Sequence, residues 1–223
     1  MILKITDKIY NYRYYLLLLT LVVYFFTPTV NISTLISIIV KLFTISILLL
    51  SGANFIQKDK KFLRTTWFVF GFVIICLAFL FNFFPGNVLM FIIQYLLMLI
   101  FFLVILISLL QQFFNVSEVT LDVIIGSFCG YLLIGISSFF LYMIIDIIDP
   151  ESFSGLSGEL DEKVAQLFYF AFTTMTTIGF GDILPIKLTS QKLAVLTAAV
   201  GQFYIAVVVA ILVSRYMHRS DKL

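Results

Sequence analysis

Apolar positions in this chain neither alternate nor keep to one helical face; they run on. Six stretches, about 10–27, 31–55, 65–84, 88–113, 122–147 and 191–216, are apolar nearly throughout, and each is bounded by charges or turn residues. A helix of about 20 residues covers the roughly 30 Å hydrocarbon core of a bilayer, so each stretch predicts a transmembrane span. Short segments of alternating hydrophobicity, the mark of an outer-membrane barrel, are absent. A seventh apolar run, about 163–176, is too short to cross. It lies between the fifth and sixth spans and predicts a half-helix that enters the membrane and turns back, an arrangement tolerated only where protein or a water-filled cavity surrounds it. The predicted fold class is an all-α membrane protein with six transmembrane helices plus a re-entrant helix and loop.

Basic residues alternate in step with these spans. Lys4, Lys8 and Arg13 precede the first, Lys58, Lys60, Lys61 and Arg64 separate the second from the third, and Arg215, Arg219 and Lys222 follow the sixth. The positive-inside rule makes these ends cytoplasmic, both termini included. The opposite connections carry no charge, in "TPTVN" and "PGN", or excess acid, in "DIIDPESFSGLSGELDE". Composition agrees: 62% of residues are hydrophobic and 12% charged, against roughly 45–50% apolar in soluble domains. The expected location is a cell membrane, plasma or inner, with lipids as neighbours and no nucleic-acid partner. Cys76 and Cys129 both fall inside apolar runs, which argues against a disulfide framework and for lipid-facing or core packing. The first run starts too late, and lacks a small-residue cleavage site, for a removable signal peptide.

One stretch breaks the pattern: "TTMTTIGFGD", Thr173 to Asp182, directly after the half-helix. Consecutive carbonyls of one strand face the same side only if the backbone alternates between conformations, some of which glycine reaches most cheaply. Gly179 and Gly181 fit that need. Rings of such carbonyls can replace the water shell of a cation. The expected ligands are Thr177, Ile178, Gly179, Phe180 and Gly181. Ile178 and Phe180 are expected to turn their side chains backward into packing, and Asp182 adds negative charge at the outer entrance. The carboxyl end of the half-helix points the same way, and its partial charge favours a cation.

These residues resemble the potassium-channel filter signature TVGYG, written here as "TIGFG" from Thr177 to Gly181 within "TMTTIGFGDILP". The resemblance covers the fifth span, half-helix, filter and sixth span, about 100 residues. It implies a potassium-selective channel with K+ as permeant ion, no cofactor and no catalysis. One filter copy per chain implies a homotetramer. The six-span layout resembles the voltage-gated-channel architecture, with residues 1–114 as a four-helix sensor-like bundle, 115–121 as linker and 122–223 as pore domain. Among the aromatic candidates for filter support, Phe168, Tyr169 and Phe170, Tyr169 stands where many relatives carry a tryptophan bonded to the acid after the filter. Tyr169 to Asp182 is the expected replacement. Thr173 stands where some relatives carry a glutamate, so that acid's support is missing.

Gly201 lies twenty residues after Gly181, a spacing that resembles an inner-helix hinge; close packing of neighbours is the other reading. Helical steps place Gln202, Ile205, Val209, Val213 and Met217 on one face, expected with Gly201 to line the cavity and gate. The resemblance fails in the fourth span, which contains no Arg or Lys, so steep voltage sensing is not expected. The closer likeness is to small bacterial potassium channels with an uncharged bundle. Lys41, in the second span, reads either as a residual sensor or as a side chain that snorkels or sits in a polar pocket. The main alternative is a weakly selective monovalent cation channel, because Phe180 lacks the tyrosine hydroxyl. A transporter with four degenerate loops and a nonconducting subunit are the others.

Overall fold

A computed structural model describes residues 12–26, 34–53, 61–81, 87–115 and 120–220. Helices stand where the apolar runs put them: α1 Arg13–Phe26, α2 Thr34–Ala53, α3 Lys61–Phe81, α4 Val88–Asn115, α5 Leu121–Ile148, α6 Leu160–Met175 and α7 Leu188–Ser220. Among the described residues, three helical stretches are long and apolar enough to cross a membrane: Val88–Phe113, Leu121–Ile148 and Leu188–Ser214. Lys4, Lys8, Lys58, Lys60 and Lys222, used above for orientation, lie outside the described residues, as does most of the 115–121 linker.

Local chemistry sets the helix ends. Asn87, in the predicted "PGN" connection, accepts a hydrogen bond from the Met90 backbone N–H at 3.2 Å and so caps α4. Asp161 and Glu162 occupy the first turn of α6, where carboxylates suit the positive end of a helix. With 16 residues, α6 is about 24 Å long, short of a crossing.

The helices pack around α5. It meets α1, α4, α6 and α7, with α4 lying along it most extensively. Aromatic rings fill the contacts: Phe102 sits 5.4 Å from Phe140, and Trp67 stacks on Phe101 at 4.7 Å while its Nε1 donates to the Leu49 carbonyl at 2.9 Å. Tyr142, fully buried in α5, donates to Thr197 Oγ1 of α7 at 2.9 Å.

The all-α expectation needs one amendment. Within the acidic connection, β1 (Phe153–Ser154) pairs antiparallel with β2 (Leu184–Pro185), in register Phe153 to Pro185 and Ser154 to Leu184. Ser152 extends the tie: its carbonyl accepts from the Ile186 N–H at 2.9 Å and from the buried Ser190 hydroxyl at 2.8 Å. The segment before α6 is thereby fastened to the segment entering α7.

Candidate functional site

The loop after α6 folds back onto the end of its own helix. Thr176 donates its hydroxyl to the Phe172 carbonyl at 2.7 Å. The Thr177 N–H reaches the Thr174 carbonyl at 3.0 Å, and both the Ile178 and Gly179 N–H groups reach the Thr173 carbonyl, at 2.9 and 3.2 Å. Carbonyls that a helix end leaves without partners are satisfied in this way by the loop that follows. Buried Thr173 therefore supports the loop through its main chain, and its hydroxyl turns to the Phe170 carbonyl at 3.2 Å.

From Thr177 to Gly181 the sign of φ alternates. Thr177 (60°), Gly179 (53°) and Gly181 (81°) are left-handed, while Ile178 and Phe180 are not. A Cβ at Gly179 or Gly181 would meet nothing within 4 Å, so backbone conformation and not space calls for glycine there. The threonine went unforeseen. A β-branched residue at positive φ costs about 1–3 kcal/mol, and nothing in the sequence signals it. Among the described residues, no hydrogen bond is made to the carbonyls of Thr177 to Gly181. All five residues belong to an exposed loop.

Of the aromatic candidates, Tyr169 is the one whose ring meets the loop, lying nearly parallel to Phe180 (7°) with centroids 6.1 Å apart. Its phenol is raised above its ordinary pKa by desolvation first, and then by a hydrogen bond and the negative charge of Asp182. Phe170 does not meet the loop: it is buried edge-on against Tyr142 (5.0 Å) and Phe153 (5.5 Å), holding α6 to α5 and β1. Phe168 likewise turns to Phe25 and Phe139. Adjacent helical residues point about 100° apart, so neighbours in sequence face different surroundings. Ile178 and Phe180 themselves are 57% and 69% exposed within one chain, so beyond the Tyr169 ring the packing expected behind them is not supplied by the chain's own residues.

Along α7, Gln202, Ile205, Val209 and Val213 are exposed on one side. Gly201 departs from that stripe. It is buried against the Met175 carbonyl, where a side chain would collide, and α7 runs through it without a break. Its place is the close-packed junction of α7 with the end of α6. Met217 belongs to α7, but its side chain lies outside the described residues.

Ion pairs brace the end of the molecule that carries β1 and β2. Lys163 of α6 meets buried Asp146 of α5 at 3.6 Å, and Lys187 meets Asp149 at 3.7 Å and Glu151 at 3.6 Å. At Gly155, with φ of 83°, the backbone passes directly against the Asp182 carbonyl and leaves no room for a side chain. Sequence reading missed this brace, because its partners come from different elements and are distant in the chain.

Residues 131–218 match the family model described as "Ion channel". This span takes in most of α5, α6, the loop and α7. A curated relative, "Two pore potassium channel a" of Oryza sativa subsp. japonica, is 34% identical over 80 residues, 36% of this chain. The match spans 20% of the rice protein's length. No solved structure matches the chain. The domain match and the apolar helices describe a membrane-embedded, multi-pass protein whose residues 131–218 are similar to an ion channel.

Proposed function

We propose that the chain is one quarter of a potassium-selective channel that conducts passively across a cell membrane. The observation that carries this reading is the alternating φ from Thr177 to Gly181 in an exposed loop held to the end of α6. Four such loops around an axis would present rings of oxygen that replace the hydration shell of K+. Thr177, Ile178, Gly179 and Phe180 are the proposed ion ligands, with Gly181 completing the loop. Tyr169 and Asp182 act as its lateral support, and Phe170 holds α6 from behind. The negative end of α6, about half an elementary charge, lies where the loop begins and favours a cation there.

Homotetramerisation follows from one loop per chain and from the exposed Ile178 and Phe180, whose packing would come from neighbouring copies. In this reading α1 to α5 and α7 are six spans, α6 is re-entrant, residues 1–114 form the sensor-like bundle, and both termini are cytoplasmic. Gln202, Ile205, Val209, Val213 and Met217 face the cavity and inner mouth. The rice relative, a potassium channel by name, supports the same choice of ion.

A weakly selective cation channel is the second reading. It is favoured by Phe180, which offers no hydroxyl and meets its own chain through the Tyr169 stack. Reversal potentials of the purified protein in bilayers with opposed K+ and Na+ solutions decide between them. A value near the K+ equilibrium potential is expected, and one near zero favours the second reading. Gly179→Ala should abolish the current while leaving the oligomer intact, because the methyl opposes the left-handed backbone in all four copies. Unchanged selective current in that variant removes the filter assignment.

A further inference from the structure

Two tyrosines from different helices seat themselves on neighbouring turns of α5, and permeation uses neither. Tyr14 of α1 lays its ring on Gly126, where a methyl would stand 3.0 Å from two ring carbons. The Tyr14 carbonyl accepts from Cys129 Sγ at 3.9 Å, and its hydroxyl donates to Gln112 of α4 at 3.2 Å, alongside Arg13. One turn on, Tyr204 of α7 places its hydroxyl in the space a Gly130 side chain would occupy and donates to the Ser127 carbonyl at 2.7 Å. Its ring lies 6.1 Å from Tyr131.

Tyr204 is three residues from Gly201, and both turn toward the rest of the chain; neighbouring Ile205 belongs to the exposed stripe. A tie on the packed side of a helix sets how far its other side can travel. We propose that the Tyr204 hydroxyl, seated in the Gly130 notch, is the positioning contact that holds α7 back from the pore axis, and that Tyr14 brings the bundle to bear on the same stretch of α5. The proposal rests on the channel reading above. Loss of the tie lets the Ile205–Val213 stripe close on the axis, so the open state is disfavoured while the filter is untouched. Gly126 and Gly130 lie one turn apart on the same face of α5, so bundle movement would reach the gate through two neighbouring packed contacts.

Single-channel recording of the purified tetramer in bilayers tests this. Tyr204→Phe removes only the hydroxyl, in all four copies, and should lower open probability at least about two- to tenfold, the range of a single hydrogen bond. Unit conductance and reversal potential should stay as in wild type. Gly130→Ala, which evicts the hydroxyl, should give the same loss, and combining the two should add little. Tyr14→Ala should also lower open probability, non-additively with Tyr204→Phe. Native mass of each variant checks that the tetramer persists. Open probability unchanged or raised in Tyr204→Phe overturns the tie, and additive effects of Tyr14 and Tyr204 overturn the route. A wild-type protein without current overturns the channel reading and this proposal together, whereas a conducting wild type matched by Tyr204→Phe overturns this proposal alone.

Discussion

Helices α5 and α7 are both long enough to cross a membrane, yet they stand in opposite situations. In the most apolar stretch of α5, 61% of residues are buried within the chain, against 11% in α7. Composition does not separate them, since both are apolar nearly throughout. What separates them is partners: α5 receives α1, α4, α6 and α7, whereas α7 meets α5, α6 and β2. An apolar helix left so bare beside an exposed loop faces lipid, other copies of itself, or both. For α5 the chain supplies its own packing; for α7 most of the packing has to come from outside the chain.

The most damaging test of that contrast compares two equally exposed phenylalanines. Phe203 on α7 is 72% exposed and Phe72 on α3 is 67% exposed. If α7 packs between copies and α3 faces lipid, Phe203→Ala removes contact area at every junction between copies, and a lipid tail does not replace it. A buried Phe→Ala change costs about 3–5 kcal/mol, so tetramers should fall to smaller species under a detergent challenge that wild type survives. Phe72→Ala should leave the mass unchanged. Equal behaviour of the two, measured by native mass spectrometry, would make the bareness of α7 a lipid contact and dissolve the contrast.

A smaller effect should separate the loop's own supports from those lent by neighbours. Tyr169 meets the loop in two ways, through its ring on Phe180 and through its hydroxyl near Asp182. Tyr169→Phe keeps the stack and loses the hydroxyl, so open durations should shorten a few-fold. Tyr169→Ala loses both and should shorten them further. Because the phenol is raised above its ordinary value, the neutral, donating form persists at every pH below the usual phenol range. It is lost only as pH rises through the raised value. Durations should therefore be flat between about pH 6 and 9 as far as this contact is concerned. A titration in that window that Tyr169→Phe abolishes would contradict the arrangement.

Helix positions were legible because a membrane demands long apolar runs, and 160–175 was legible as a half-length helix because it is too short to cross. What escaped reading depends on residues distant in the chain or on direction around a helix. Nothing in "FYF" tells that Tyr169 turns to Phe180 while Phe168 and Phe170 turn away; only the register of α6 on α5 decides that. The Phe153–Pro185 ribbon pairs residues on either side of α6, and its strands of two residues are too short to leave a pattern. Gly201 has the spacing of a hinge, but it is the Met175 carbonyl lying on it that accounts for its missing side chain. Left-handed backbone at Gly179 and Gly181 follows from residue type, whereas at Thr177 tertiary context overrides it.

The smallest expected effect concerns the bundle. Helix α4, Val88–Asn115, contains no Asp, Glu, Lys or Arg, and it lies along α5 more extensively than any other pair of helices meets. Moving one elementary charge through the membrane field is worth about 2.3 kcal/mol per 100 mV, and steep opening takes several such charges in each subunit. A helix with none responds to voltage only as far as the elements it carries respond. Open probability should thus vary little between about −100 and +100 mV, measured on single channels in bilayers. Lys41 is the remaining basic residue deep in an apolar run of the bundle. A shallow slope that vanishes in Lys41→Gln would assign the residual charge movement to α2, and one that persists would place it at the loop, where permeant ions themselves cross the field. A steep sigmoid surviving that substitution would mean that α4 is not the passive brace on α5 that its composition makes it.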